Sequence, residues 1–168
     1  MSTQEHKAAA PRTVNCMVIT VSDTRTKETD KSGQLMKQLL EQAGHETVLY
    51  EIVKDEREAI VAAIERGVAA QEVDVLLLNG GTGIAKRDTT VEAVQGVLEK
   101  EMPGFGEIFR MLSFTEDIGS AAILSRAIAG TYRDKAVFSV PGSTGAVRLA
   151  MNRLIIPELG HVVRELRK

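Results

Sequence analysis

The stretch from Val73 to Asp88, VDVLLLNGGTGIAKRD, constrains the fold more than any other part of the chain. Val73, Val75, Leu76, Leu77 and Leu78 form a nearly continuous apolar run that stops at Asn79-Gly80-Gly81. A run of β formers without polar alternation is the pattern of a strand buried on both faces, as in a parallel sheet covered by helices. Three glycines (Gly80, Gly81, Gly83) and the Thr82 hydroxyl come next. Glycines let backbone N–H groups turn toward an anion with no side chain in the way. Thr89 stands three residues before Glu92, which is capping-box spacing, so a helix is expected to start there. Strand, glycine loop and helix N-terminus together are a common way to hold a phosphate.

The loop is neither of the two best-known phosphate loops. A Walker A loop has Lys-Ser/Thr directly after its last glycine, whereas Gly83 is followed by Ile84-Ala85-Lys86. The dinucleotide fingerprint has a third glycine where Lys86 stands, which counts against a nicotinamide- or flavin-binding domain. On the glycines alone, a tight strand-to-helix connection explains the loop equally well. Lys86, Arg87 and Asp88 in the same loop tilt the reading toward a polyphosphate ligand held with a metal.

The rest of the chain alternates in the same style. Residues 1–13 read as a flexible lead-in, and residues 14–168 as a single domain. Val14–Val21 is a first strand, followed by a long polar loop beginning Ser22-Asp23-Thr24-Arg25. Ser32 is placed to cap a helix with Leu35, Met36, Leu39 and Leu40 on one face, ending at Gly44. Glu46–Val53 is a second strand, and Asp55 is placed to cap the helix carrying Ile60, Val61, Ile64 and Val68. Residues 101–106 read as a turn-rich connection and Gly106–Phe114 as a short helix. The composition of residues 115–130 suits helix and loop alike. Ala127–Tyr132 is a short antiparallel strand, Tyr132–Lys135 a turn and Ala136–Val140 the last strand, stopping at Pro141-Gly142-Ser143. A final helix starts near Thr144 and bends near Pro157.

Strands alternating with helices predict an α/β fold with helices on both faces of a mostly parallel sheet. Right-handed crossovers then bring the carboxyl ends of the parallel strands to one edge, where ligands bind at the switch point in strand order. Ser22 and Asp23, then Asp55, then Gly80 to Asp88, then Pro141 to Ser143 each follow a strand. Their convergence on one rim is stronger evidence than any single motif. Asp55 and Asp88 beside Lys86 and Arg87 fit a Mg²⁺–phosphate environment and point to phosphoryl or nucleotidyl transfer. The competing explanation is a solvated surface cluster.

Composition narrows the partners. Net charge is −2 with a pI near 6.0, and the aromatics are four Phe and two Tyr. That excludes a global basic field and a base-stacking platform, so no nucleic-acid partner is expected. No apolar run approaches the length of a membrane span, and the N-terminus lacks signal character, so a cytoplasmic location is expected. The single cysteine, Cys16, lies in an apolar strand and reads as a buried structural thiol. His6, His45 and His161 show no metal-ligand spacing and read as plain surface positions, and nothing supports a Ser-His-Asp triad at Ser22.

The motifs TVSD (Thr20–Asp23), GGTG…RD (Gly80–Asp88), MPGFGE (Met102–Glu107), LSRAIAG (Leu124–Gly130) and PGS (Pro141–Ser143) occur in one order. That combination resembles the MoaB/Mog family of molybdenum cofactor biosynthesis from about Val14 to the last helix. FRMLSF (Phe109–Phe114) and PGST (Pro141–Thr144) resemble its MoaB branch. The resemblance implies a three-layer α/β/α molybdopterin-binding fold, a trimer or hexamer, and adenylylation of molybdopterin by MgATP. By this resemblance Gly80, Gly81, Thr82 and Gly83 hold substrate phosphate, and Ser22, Asp23, Ser125, Gly142 and Ser143, with Pro141, line the pocket. Apart from the resemblance, Lys86 and Arg87 are the cations expected to neutralise charge growing on a transferring or leaving phosphate. Asp55 and Asp88 match the family's important aspartates, with catalytic and Mg²⁺-holding roles. The alternative is a non-catalytic carrier or scaffold in the same pathway.

Overall fold

The computed structural model describes residues 2–168. Six strands form one sheet: β1 (Asn15–Val21), β2 (Glu46–Val53), β3 (Val75–Asn79), β4 (Lys100–Glu101), β5 (Ile128–Tyr132) and β6 (Lys135–Val140). Their order is β2-β1-β3-β6-β5-β4. The first four in that order run parallel, β5 is antiparallel to β6, and β4 is antiparallel to β5. The chain steps from β1 outward to β2 and later returns past β1 to β3. The direction of travel therefore reverses between β1 and β3, which opens a crevice at their carboxyl ends.

Helices α2 (Lys31–Gln42), α5 (Pro103–Glu116), α6 (Thr144–Ala150) and α7 (Ile156–Leu166) contribute to the core on one face, and α3 (Arg57–Ala69) and α4 (Thr90–Val97) to the core on the other. The strands divide between these two cores residue by residue. Cys16, Val18, Val75 and Leu77 pack toward the first, and Met17, Ile19, Leu76 and Leu78 toward the second. This is the alternation of a strand buried on both sides. Leu76, Leu77 and Leu78 are fully buried, and each such side chain contributes about 1.5–3 kcal/mol of burial. The β5–β6 hairpin closes through Arg133 and Asp134, with φ of 46° and 65°. Positive φ at both central residues is the turn that matches the twist of paired strands.

Some local expectations are corrected. The N-terminal segment expected to be flexible contains a helix, α1 (Thr3–Ala8), started by a Ser2–Glu5 capping box. It buries no residue and is tied to α7 by Lys7–Glu158 (2.5 Å) and His6–Glu165 (2.9 Å). Asp30, not Ser32, caps α2, accepting from Gly33 N. The connection at 101–106 holds the last residue of the edge strand β4 and the start of α5, which begins at Pro103, a residue that suits a first helical turn. Residues 119–124 form a 3₁₀ segment. The final helix is interrupted by a π-helical turn, Met151–Ile155, just ahead of Pro157.

Candidate functional site

Three strand ends meet backbone to backbone. Gly80 and Gly81 have φ of 97° and 67°, the left-handed region that disfavours any side chain. Gly80 N donates to Val140 O at 3.1 Å, tying the end of β3 to the end of β6. A Cβ on Gly80 would collide with the carbonyl oxygen of Val21 at the end of β1, and the position of a Cβ on Gly142 lies 3.1 Å from the Gly80 Cα. This close approach leaves a cavity of about 520 Å³ over the switch point. Ser22, Gly80, Gly81, Thr82, Gly83, Asp88, Ser125, Pro141, Gly142 and Ser143 all line it. Phe109, Ile118 and Leu124 supply an apolar wall. The Ser125 hydroxyl is buried with no hydrogen-bond partner among the described residues, the condition of a polar group waiting for a ligand.

The glycine loop is held from behind by Arg126. Its Nε donates to Thr82 O (3.1 Å) and its Nη2 to Gly83 O (2.6 Å). Nη1 pairs with Glu92 of α4 at 2.5 Å. With these carbonyls drawn back to a guanidinium, the loop is pinned on its outer side. The charge of Arg126, acting first through this hydrogen bond, holds the Glu92 carboxyl below its usual range.

Asp55 is a brace, though not for the helix it precedes. The N-cap of α3 is Glu56, without a side-chain cap bond. Asp55 Oδ1 instead accepts from Thr89 N (3.1 Å) and Thr89 Oγ1 (2.9 Å) at the start of α4. Thr89 therefore makes no capping bond of its own to α4, and the expected Thr89–Glu92 capping box is absent. Asp23 Oδ1 accepts from Asp55 N (3.0 Å), and Asp23 Oδ2 takes Arg87 Nη2 (2.6 Å). These donors, the Asp55 N–H foremost, lower the Asp23 pKa. The segments after β1, β2 and β3 are thus linked by two aspartates. Asp88 Oδ2 closes its own loop by accepting from Ala85 N at 3.1 Å.

Asp23, Asp55, Lys86 and Arg87 do not line the cavity. Arg87 faces solvent, with 67% of its side chain exposed, and pairs with Asp23. The cation that does line the cavity, Arg25, was missed as a site residue. The available signal was its position in the polar run that directly follows β1. Asp117, beyond the end of α5, was also missed and also lines the cavity.

The histidines depart from the plain surface reading. His45 Nδ1 accepts from Val14 N at 3.0 Å. His6 and His161 converge with Glu165 into a cluster whose atoms could hold a metal. Arg164 Nη1 already lies 2.5 Å from His6 Nδ1 and 3.5 Å from Glu165 Oε1, so the cluster contains its own cation. Cys16 fits its expected role: it is fully buried, and burial pushes its thiol up to about 12. No helix among the described residues is long and apolar enough to cross a membrane.

Comparison with known proteins identifies the family. The family described as "Probable molybdopterin binding domain" matches residues 17–161. The chain is 66% identical over 168 residues to molybdenum cofactor biosynthesis protein B of Bacillus subtilis, covering 100% of this chain and 99% of that protein. It is 53% identical over 171 residues to the protein of the same name from Staphylococcus carnosus, covering 100% of each. A crystal structure of a molybdenum cofactor biosynthesis protein B matches with a TM-score of 0.92 and 62% identity, over 94% of this chain and 98% of that one. The tungsten cofactor synthesizing protein MoaB from Pyrococcus furiosus matches with a TM-score of 0.84 and 37% identity, over 95% of this chain and 100% of that one. Glycine loop, switch-point cavity and full-length similarity agree, and the chain belongs to the MoaB branch of the MoaB/Mog family of molybdopterin-binding, molybdenum cofactor biosynthesis proteins.

Proposed function

We propose that this protein adenylylates molybdopterin. The terminal phosphate of the pterin attacks the α-phosphorus of ATP and a P–O bond forms. The bond from that phosphorus to the oxygen bridging to the β-phosphate breaks, and pyrophosphate leaves with the electron pair. The observation that carries this reading is the cavity at the ends of β1, β3 and β6, walled by Gly80–Gly83 and by Asp88. Backbone N–H groups of the glycine loop bind phosphate oxygens without desolvating a long side chain. The loop is already fixed by Arg126, so little reorganisation is needed when charge moves in the transition state.

Magnesium is part of this proposal, with Asp55 and Asp88 as the side chains that would hold it. Oδ2 of Asp55 and Oδ1 of Asp88 each accept no hydrogen bond among the described residues. Two carboxylate oxygens completed by water and substrate phosphate are a suitable donor set for that ion. Bound there, it would supply neutralisation of the charge on the departing pyrophosphate.

A second reading, a non-catalytic molybdopterin carrier or scaffold, has one observation in its favour: Asp55 lies off the cavity wall and already braces Thr89. A homo-oligomer, trimer or hexamer, is part of the proposal. Ile108, Met111 and Phe114 on α5, with Ile123 beyond it, are exposed and do not line the cavity, and exposed large apolar side chains support association. Light scattering that returns a monomer at micromolar concentration removes the oligomer.

The deciding experiment combines purified protein, molybdopterin and MgATP, and detects adenylyl-molybdopterin and pyrophosphate. The expected result is product from the wild type and none from Asp88→Asn, with pterin binding largely kept. Tight pterin binding without product from the wild type overturns the enzyme and leaves the carrier.

A further inference from the structure

The expected cations of the glycine loop, Lys86 and Arg87, do not line the cavity, and Arg25 is the one basic side chain that does. Its mounting is unusually complete for a loop residue. Nη1 donates to Ser32 Oγ (3.2 Å) and Nη2 to Gly142 O (3.1 Å). Ser32 Oγ in turn donates to the same Gly142 carbonyl. Asp30 Oδ1 lies 3.6 Å from Nη1. Asp30 is fully buried and cannot turn away. It accepts from Thr20 Oγ1 (2.6 Å), Tyr50 Oη (2.5 Å) and Gly33 N (3.0 Å).

A guanidinium has five N–H donors. Arg25 uses two in the bonds above and keeps one third of its side chain exposed. The remaining donors form a planar group already fixed at the cavity, and such a fork matches a phosphate with less entropy lost on binding than a free Lys. The other ionisable side chains on the cavity wall, Asp88 and Asp117, are acidic. They give no attraction to an anion.

The geometry points to Arg25 as the side chain that holds the terminal phosphate of the pterin substrate, with Asp30 and Ser32 as positioning residues that aim it. This deepens the function proposed above and rests on it for the identity of the ligand. A competing role is a mechanical clip between the segments after β1 and β6. A clip stabilises the fold but does not distinguish a ligand with a phosphate from one without.

The test measures binding of molybdopterin and of the same pterin lacking its terminal phosphate, by calorimetry, to wild type, Arg25→Gln, Arg25→Lys and Ser32→Ala. A lost charge-assisted bond corresponds to roughly a 10–100-fold loss of affinity. Arg25→Gln is expected to weaken the phosphorylated pterin by that factor and to leave the other unchanged. Arg25→Lys is expected to recover part of the loss, and Ser32→Ala to show a smaller one. Equal weakening of both ligands, or of neither, overturns the assignment and leaves the clip. If the wild type binds neither pterin, the proposed function falls, and inorganic pyrophosphate then tests Arg25 by itself. Pyrophosphate binding lost in Arg25→Gln keeps Arg25 as a phosphate-holding side chain but ends its assignment to the pterin, whereas unchanged binding, or none by the wild type, ends the phosphate role as well.

Discussion

Replacing Arg126 by Ala isolates the brace behind the glycine loop. The substitution removes bonds to Thr82 O and Gly83 O and the pair with Glu92. A hydrogen bond from a charged donor contributes about 1.5–3 kcal/mol net, and less where the freed partner is readily rehydrated. Thr82 is buried, so its carbonyl regains little from water, whereas half-buried Gly83 regains more. The Glu92 pair has 30% and 49% of its side chains exposed, and pairs of that kind add roughly 0–1 kcal/mol. A net loss of about 2 kcal/mol follows, which for a domain of this length lowers the Tm by about 4–8 °C. Differential scanning calorimetry measures that, and amide exchange shows whether the loss is local, as faster exchange across residues 80–92. Acid titration adds a signed check. Arg126 depresses the folded pKa of Glu92 below its ordinary 4.5. The corresponding stability is complete above 4.5 and disappears as pH falls through the lower folded value. The variant should lose less stability than wild type across that acid window. Unchanged Tm together with unchanged exchange at 80–92 would refute the idea that Arg126 holds the loop.

Gly80→Ala is expected to lose more than about 3 kcal/mol, or to fail to accumulate as folded protein, because a left-handed φ and the Val21 carbonyl both exclude a Cβ. A soluble variant with near wild-type melting refutes this. Asp55→Asn retains an oxygen that can accept from Thr89, whereas Asp55→Ala does not, so stability should fall by about 1 kcal/mol in the alanine variant alone, read as a lower Tm. If the asparagine variant also keeps adenylylation activity, the Asp55 charge has no part in the chemistry. Cys16 should resist a thiol reagent in native protein and react fully once the protein is denatured, since it is buried and its pKa is pushed up to about 12. Rapid native labelling counts against that burial.

Local pattern carried the architecture because the sheet is built from strands that need no partner information to be recognised. β3 is buried along its whole length and reads as an apolar run, and β1 does so from its second residue onward. The β5–β6 turn is visible as Tyr132-Arg133-Asp134-Lys135 between two apolar segments. Features lacking such a pattern escaped. The edge strand β4 is two exposed residues, Lys100 and Glu101, made a strand only by pairing with β5. Helix α1 is six residues with none buried, short enough that only its capping box and its ion pairs to α7 account for it.

The site divides along the same line. Which loops reach the rim is decided by strand direction, so Ser22, Gly80–Gly83, Asp88 and Pro141–Ser143 could be placed from sequence alone. Which side chains meet there is decided by reach across the fold: Arg25 to Gly142, Asp55 to Thr89, Arg126 to Thr82. No periodicity records those pairings. They also explain why the loop's own basic residues, Lys86 and Arg87, do not line the cavity. A glycine loop offers N–H groups to its ligand, while its carbonyls and the carboxylates around it demand cations on the outer side. Arg126 and Arg87 meet that demand, the first at Thr82 and Gly83, the second at Asp23. The positive side chain left to face the cavity must then come from a different strand end, and Arg25, fixed over buried Asp30 after β1, is placed to be that charge.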